Sequence, residues 1–312
     1  MKKRGWFGYT ALALMASLSF VGNNSAIART GDAEPAQQQI IGGPILAVGP
    51  QYDTTHVYIS PNKRDDFVKS FLGTFGGTST KTVVATVTPT PSSTTSQLLF
   101  TPVGTLSVFG FKTPIPYPFG QERTGYLVTD MDKAIDWAQK NGAYVVVAPF
   151  NDPIGRDAVI QWPGGVNMQI YWHFKSPSYK PLHTIPENRI YLTPRAAEAF
   201  VKSFVTFSRG RVVSDESAVS GVEIGRPDTT FRRIRLESGF GKVVVLVTEG
   251  FLPYPYGHEI SGYEVTDFDA TIRQAKDHGV KVLAGPYTVQ GQKGAILEFP
   301  GAYIAEIHTA TP

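Results

Sequence analysis

Two predicted strands carry polar side chains at alternating positions. The stretch "THVYIS" (55–60) places His56 and Tyr58 two residues apart, and "VNMQIYWHF" (166–174) does the same for Gln169 and Tyr171. Because side chains alternate between the two faces of a strand, each pair shares one face. Imidazole, phenol and amide groups can hydrogen-bond a small molecule, and imidazole and amide oxygen can also bind a metal ion. These residues are therefore the first candidates for a binding site.

A long internal repeat organises the elements that must position these side chains. The heptapeptide "PYPFGQE" (116–122) returns as "PYPYGHE" (253–259), and 253 minus 116 gives an offset of 137. Upstream, "HVYISPNKRDDFVKSF" from His56 matches "RIYLTPRAAEAFVKSF" from Arg189 at an offset of 133. Each repeat is therefore longer than a hundred residues, which is the size of a domain and too long for a solenoid unit.

Each repeat is predicted to contain two copies of one β-α-β-β-β unit. After the strand "THVYIS", the segment "RDDFVKSFLGTF" has the apolar spacing of a helix, and three β-rich segments follow it. The same order then starts again with "GYLVTD" and the helical segment "MDKAIDWAQKNG". The prolines and glycine of "PYPFGQE" lie between the two units, where they turn the chain and end the preceding strand.

The first residues have the three parts of a secretory signal peptide. Lys2, Lys3 and Arg4 form a basic start, an apolar run covers 11–21, and small residues precede Arg29 at Ala26 and Ala28. The run is too short to cross a bilayer. We predict cleavage near Ala28 and a periplasmic or secreted mature protein.

Composition and prolines divide the rest of the chain. Residues 1–28 are predicted to be the signal peptide and 29–50, rich in Gln, Gly, Pro and Ala, a flexible leader. The first domain is predicted at 51–175 and the second at 189–312. Three prolines in "KSPSYKPLHTIPEN" disfavour helix and central strand, so 176–188 is predicted to be a linker.

Charge and cysteine content exclude several function classes. The chain has 29 basic and 26 acidic residues, and removal of 1–28 takes away three basic and no acidic groups, which leaves 26 of each. A balanced chain without a dense basic run is not typical of nucleic-acid binding or of binding to an anionic membrane after signal cleavage. The absence of cysteine excludes thiol catalysis and thiolate zinc sites.

The doubled units resemble the vicinal oxygen chelate superfamily, which includes glyoxalase I, extradiol dioxygenases and bleomycin-resistance proteins. The resemblance rests on the order of elements, on "GYLVTDMD" and "GYEVTDFD" leading helices, and on the closing strand "FPGAYIAEIH", and it covers 51–310. It implies an α+β fold: a tandem pair of glyoxalase-like domains, each of two βαβββ units forming a cupped mixed sheet. It also implies a substrate with vicinal oxygens, a divalent metal (Zn, Fe, Mn or Ni) and pairing of domains across chains, hence a homodimer.

The superfamily's metal-ligand positions fall on His56, Arg123 and Gln169 in the first domain. Arginine stays protonated and cannot bind a metal, so the resemblance implies an incomplete metal site. Our main interpretation is therefore a metal-free binding protein without a cofactor. In it a small oxygen-rich or aromatic molecule is bound by His56, Tyr58, Arg123, Gln169 and Tyr171, and the guanidinium takes the place of the cation.

The alternative interpretation is a metal-dependent lyase, isomerase or dioxygenase, so the sequence leaves open whether the protein is an enzyme. The inherited ligand positions in the second domain fall on Arg189, Ile260 and Glu306. His258 and His308 each lie two residues from one of them, so His258, Glu306 and His308 are candidate metal ligands. Against this set, the charge of Arg189 would oppose a cation, and Arg189 and Glu306 could neutralise each other.

Overall fold

The computed structural model describes residues 42–310. The predicted signal peptide and most of the predicted leader lie outside the described residues. Within 42–310, none of the helices has the length and apolar character needed to cross a membrane.

The first repeat forms a sheet and two helices. The strands are β1 (Asp53–Tyr58), β2 (Thr78–Ser79), β3 (Val83–Ala85), β4 (Thr94–Thr101), β5 (Gly104–Phe111), β6 (Thr124–Leu127), β7 (Tyr144–Asn151), β8 (Gly155–Trp162) and β9 (Val166–His173). The helices are α1 (Arg64–Phe75) and α2 (Met131–Lys140). Helix α1 spans the segment "RDDFVKSFLGTF", which confirms that prediction, and it buries Phe67 and Phe71 as the helical spacing requires.

The second repeat has the same order. Its strands are β10 (Glu187–Leu192), β11 (Arg211–Ser220), β12 (Thr230–Ser238), β13 (Gly241–Val247), β14 (Ile260–Glu264), β15 (Lys281–Val289), β16 (Gln292–Phe299) and β17 (Tyr303–His308). Its helices are α3 (Pro194–Ser208) and α4 (Phe268–Asp277).

Both sheets have one topology, so the tandem α+β fold predicted from sequence is confirmed. The strand order is β2-β4-β5-β1-β6-β9-β8-β7 in the first sheet, with β3 beside β4, and β11-β12-β13-β10-β14-β17-β16-β15 in the second. In the middle of the first sheet β1 and β6 are antiparallel, and each has a parallel neighbour on its other side, β5 and β9. The first strands of the two units therefore meet at the centre of a curled sheet.

The helices lie on the face of each sheet opposite its cup, where residues of both repeats pack together. One core joins Trp162 and Tyr126 of the first repeat to Phe204 and Phe207 of α3. A second core joins α1 of the first repeat to α4, β16 and β17 of the second. Burial of these aromatic side chains stabilises the packing of the two repeats against each other.

Candidate functional site

The concave face of the first sheet, which we call the first cup, contains a cavity of about 330 Å³. Inward-facing side chains of neighbouring strands line it in register: His56 lies opposite Ser107, Tyr58 opposite Phe109, and Asp157 opposite Tyr171. The alternation of side chains along each strand sends these residues to one face, and the curl of the sheet brings them together.

Four of the five predicted binding residues line this cavity. They are His56, Tyr58, Gln169 and Tyr171. The fifth, Arg123, is not among the residues that line it. Although the backbone N–H of His56 donates to the carbonyl of Arg123 at 2.9 Å, the guanidinium turns to the Gly120 carbonyl, 2.9 Å from Nη1. Arg123 thus lies outside the lining of the cavity, and its role as a substitute cation stays a prediction.

Gly125 explains how the imidazole reaches the centre of the cup. It pairs with Gln169 on β9, and a Cβ placed on it would lie 2.6 Å from Nε2 of His56. Any larger side chain at this position would displace the imidazole, so the site requires glycine here.

Glu122, the last residue of "PYPFGQE", lies beneath the cup and was missed by the sequence analysis. Its side chain is fully buried, its Oε1 accepts a hydrogen bond from the hydroxyl of Tyr58, and the same oxygen lies 3.5 Å from Nδ1 of His56. Burial, and then the Glu122 charge, raise the pKa of Tyr58 well above its usual range. The glutamate recurs in both heptapeptides, and that recurrence was the only sequence signal for it.

Asp157 supplies a second buried carboxyl group that the sequence analysis missed. Burial, followed by the charges of Asp152 and Glu122, raises the pKa of Asp157 well above its usual range. This direction of shift favours the neutral carboxylic acid, a form that can donate a hydrogen bond.

Residues 176–188, predicted above as a linker and called here the inter-repeat segment, form one wall of the cavity. Tyr179 packs on Tyr52 and Phe100, with ring centroids 4.9 and 5.0 Å apart, and it lines the cavity beside Tyr171. The hydroxyl of Tyr171 donates to the carbonyl of Tyr52 at 2.7 Å, and the hydroxyl of Tyr52 donates to the carbonyl of Pro177 at 2.8 Å. The predicted linker is thus part of the candidate site.

The concave face of the second sheet, which we call the second cup, is filled by acidic and basic side chains. We call them the charged cluster: Glu187, Arg189, Glu216, Glu223, Arg233, Arg235, Glu306 and His308. Burial alone would lower the pKa of His308, but the carboxylates of Glu306 and Glu187 outweigh it and raise that pKa. With His308 protonated, the cluster has as many positive as negative groups.

The structure brings together two of the three candidate metal ligands. Nδ1 of His308 lies 2.6 Å from Oε2 of Glu306, and Nη1 of Arg189 lies 4.0 Å from Oε1 of Glu306. His258 lies on the loop before β14, where burial and then the charge of Arg123 lower its pKa. Among the hydrogen bonds and ion pairs of residues 42–310, none joins His258 to the other two.

The donor groups of neither cup fit a metal centre with three protein ligands. At the centre of the first cup the strands present one imidazole and one amide, from His56 and Gln169, and the carboxylate of Glu122 lies 3.5 Å from Nδ1 of His56. In the second cup the guanidinium of Arg189 stands among the carboxylates. Within the described part of the chain, no group of three or more His, Asp or Glu side chains is arranged to hold a metal ion.

No protein-family model and no curated protein matches this sequence. Solved structures do match the fold. A triple mutant of 4-hydroxymandelate synthase from Streptomyces coelicolor superposes with a TM-score of 0.56 at 12% identity, over 84% of this chain and 92% of the other. The Mn(II)-bound glyoxalase from Novosphingobium aromaticivorans gives 0.51 at 12% identity, over 85% and 83%. A fusion of a xylose isomerase-like TIM barrel with 4-hydroxyphenylpyruvate dioxygenase gives 0.53 at 13% identity, over 86% of this chain and 50% of the fusion.

Proposed function

Because the chain has the tandem fold of the vicinal oxygen chelate superfamily, as its sequence predicts, we propose that its first cup binds a small aromatic molecule that carries oxygen atoms. One observation supports this above all others: the first cup contains a cavity of about 330 Å³, whereas side chains fill the second. That volume suits one small ring with its substituents.

The polar groups of the cavity match a ligand with neighbouring oxygens. The raised pKa of Asp157 favours a carboxylic acid, which can donate, and the amide of Gln169 both donates and accepts. Adjacent hydroxyl or carbonyl groups on a ligand would therefore find partners on one side of the cup. His56 of β1 lies across Gly125 of β6 from Gln169. These groups hold and orient a ligand without the need for a formal charge on it.

The walls of the cavity favour an aromatic ring. Phe109, Tyr171 and Tyr179 face the cavity from β5, β9 and the inter-repeat segment. Aromatic side chains bury a large apolar area and prefer tilted or edge-on contacts with another ring. An aliphatic acid would leave these faces without a matching partner.

A metal-dependent lyase, isomerase or dioxygenase is the second candidate. The observation that favours it is that Nδ1 of His56 and Oε2 of Glu122 are buried atoms without a hydrogen-bond partner among the described residues. A glyoxalase with this fold is named as Mn(II)-bound. We rank this candidate second because, within 42–310, no three His, Asp or Glu side chains are arranged to hold a metal ion. Metal analysis of dialysed protein, with ligand binding measured before and after a chelator, separates the two candidates. A bound metal and loss of function on chelation would favour the enzyme.

Calorimetry with catechol tests the proposed site. Catechol has a ring and two vicinal oxygens, and toluene is a matched ring without them. We expect catechol to bind and Gln169→Leu to weaken it by about 1 to 3 kcal/mol, the usual cost of an unpaired buried polar group. The control is Gln161→Leu, the same change at a β8 position outside the cavity lining, which should bind catechol as the wild type does. Equal affinity for catechol and toluene, or equal loss in both variants, would contradict the proposal.

We also propose that the protein acts in the periplasm or outside the cell, because its first 28 residues have the three parts of a cleavable signal. Intact-mass measurement of exported protein should give a chain that begins at or near Arg29. A dominant form that still begins at Met1 would refute the proposal.

A further inference from the structure

The carboxylate of Glu223 lies in the second cup where a bound carboxylate ligand could lie. Glu223 lies in a 3₁₀ turn, Gly221–Ile224, between β11 and β12, and its side chain is 4% exposed. Its Oε1 accepts from Nη2 of Arg189 and its Oε2 accepts from Nη1 of Arg233. One carboxylate thus bridges two buried guanidinium groups that come from different strands.

Backbone hydrogen bonds and a glycine hold the turn that carries Glu223. The N–H of Gly221 donates to the carbonyl of Thr229 at 2.8 Å, and the N–H of Arg226 donates to the carbonyl of Gly221 at 2.7 Å. A Cβ on Gly221 would lie 2.1 Å from the Arg226 carbonyl oxygen, so the closed turn requires glycine. Ile224 anchors the turn in an apolar cluster with Val219 and other buried residues.

Within 42–310, several hydrogen-bond donors of the second cup lack an acceptor. Nε of Arg189, Nε of Arg233, Nε of Arg235 and the hydroxyl of Tyr287 are buried without a partner among the described residues. A guanidinium N–H can only donate, so these groups fit a molecule rich in acceptor oxygens. A carboxylate has that chemistry and matches the fork of an arginine.

Loss of Glu223 would leave the two arginines short of acceptors in the same place. Glu223 is the acceptor for Nη2 of Arg189 and for Nη1 of Arg233, whereas Glu187 and Glu216 bond the other Nη atoms of these two residues. A free carboxylate between the two guanidinium groups would satisfy both Nη atoms.

We propose that the second cup is a carboxylate-binding site and that Glu223 is its internal occupant. The turn excludes a free carboxylate because its own is covalently tethered at high effective concentration. The two cups therefore differ: the first contains an open cavity, and the second is closed by a carboxylate of the chain itself. This proposal does not depend on what the first cup binds.

Acetate rescue of Glu223→Ala tests the inference. The variant removes the internal carboxylate and leaves space beside Arg189 and Arg233, so its melting temperature should fall and should recover, with saturation, as sodium acetate is added. Sodium chloride at equal ionic strength should not reproduce the recovery. In wild-type protein, where Glu223 occupies the site, the melting temperature should show no saturable difference between acetate and chloride.

Two further variants show whether the rescue belongs to this site. Glu223→Gln keeps an amide in the same space, so it should lose stability and gain nothing from acetate. Glu216→Ala removes a carboxylate that is 27% exposed and also bonds Arg233 and Arg235, and water can replace it. It should show no acetate-specific recovery.

If Glu223→Ala does not fold in chloride, refolding from urea in acetate and in chloride gives the same comparison. Recovery in acetate alone supports the proposal. Failure of acetate to stabilise or refold the variant, or equal stabilisation of wild type and both glutamate controls by acetate, would overturn it.

Discussion

His308 lies between two carboxylates in the charged cluster, and this position gives the protein a defined pH dependence. Nδ1 lies 2.6 Å from Glu306 and Nε2 lies 3.8 Å from Glu187, while Arg189 opposes protonation. The carboxylates prevail and raise the pKa of His308. On the acid side, burial opposes ionisation of Glu187, but His308 and Arg189 lower its pKa to about 2.

The direction in which His308 changes stability with pH follows from the linkage between proton binding and folding. A group whose pKa is raised on folding stabilises the folded state fully below its unfolded pKa, about 6.5 for histidine, and loses that contribution as the pH rises through the folded pKa. We predict that the free energy of unfolding in urea declines above about pH 6.5 and that His308→Gln removes this part of the decline. His278→Gln, at an exposed histidine, should keep the wild-type profile. A profile unchanged by His308→Gln would show that the imidazole does not bind its proton more tightly in the folded state.

Among the elements, the inter-repeat segment differs most from its prediction: the sequence predicts a linker, and the structure shows it packed against the first cup. Its prolines predict a linker, yet it packs through Tyr179 against the first cup, and Tyr52 holds it by two hydrogen bonds. The hydroxyl of Tyr52 donates to the Pro177 carbonyl at 2.8 Å and accepts from the N–H of Tyr179 at 3.3 Å. The segment is both exposed enough for a protease and bonded to the wall of the site.

Tyr52→Phe should therefore accelerate tryptic cleavage after Lys175. Loss of about 1 kcal/mol of hydrogen bonding raises the population of the locally opened segment by about fivefold, and cleavage follows that population. Mass spectrometry of timed digests measures the rate. Tyr144→Phe, at a hydroxyl on a 71% exposed side chain, is the control and should be cut at the wild-type rate. Equal rates for both variants would mean that Tyr52 does not restrain the segment.

At the scale of the whole molecule, the two repeats depend on each other. Trp162 and Tyr126 of the first repeat are covered by Phe204 of α3, and the rings of Trp162 and Phe207 lie 5.0 Å apart. The helices of one repeat thus complete the core of the other. A cut between the repeats would expose these aromatic faces to water.

Phe204→Ala should destabilise both repeats together. Removal of a buried phenylalanine costs about 3 to 5 kcal/mol, and because the core is shared we expect one cooperative transition at lower urea concentration, with tryptophan fluorescence and circular dichroism coincident. Phe251→Ala, at a side chain that is 84% exposed, should leave the midpoint nearly unchanged. Two separated transitions in the Phe204 variant would mean that the repeats fold independently.

The sequence alone determined the fold class, through local periodic patterns and through the resemblance of its doubled units to a known superfamily. Alternation along "THVYIS" and helical spacing in "RDDFVKSFLGTF" are local properties, and the doubled order of elements restricts the topology to few arrangements. The same alternation identified His56, Tyr58, Gln169 and Tyr171, since which face a strand residue occupies follows from its position along the strand.

Only the tertiary structure decided which polar groups meet. Arg123 starts on the predicted face, but its long side chain turns to the nearby Gly120 carbonyl, and no periodicity predicts the rotamer of a side chain with several rotatable bonds. Glu122 precedes β6 and Asp157 lies in β8. Tyr179 belongs to the inter-repeat segment, and Glu223 lies in a 3₁₀ turn. Their contacts join residues far apart in the chain, and the curl of each sheet and the course of each loop set those distances. The sequence therefore predicted two cups, and their packing decided that one is open and the other filled.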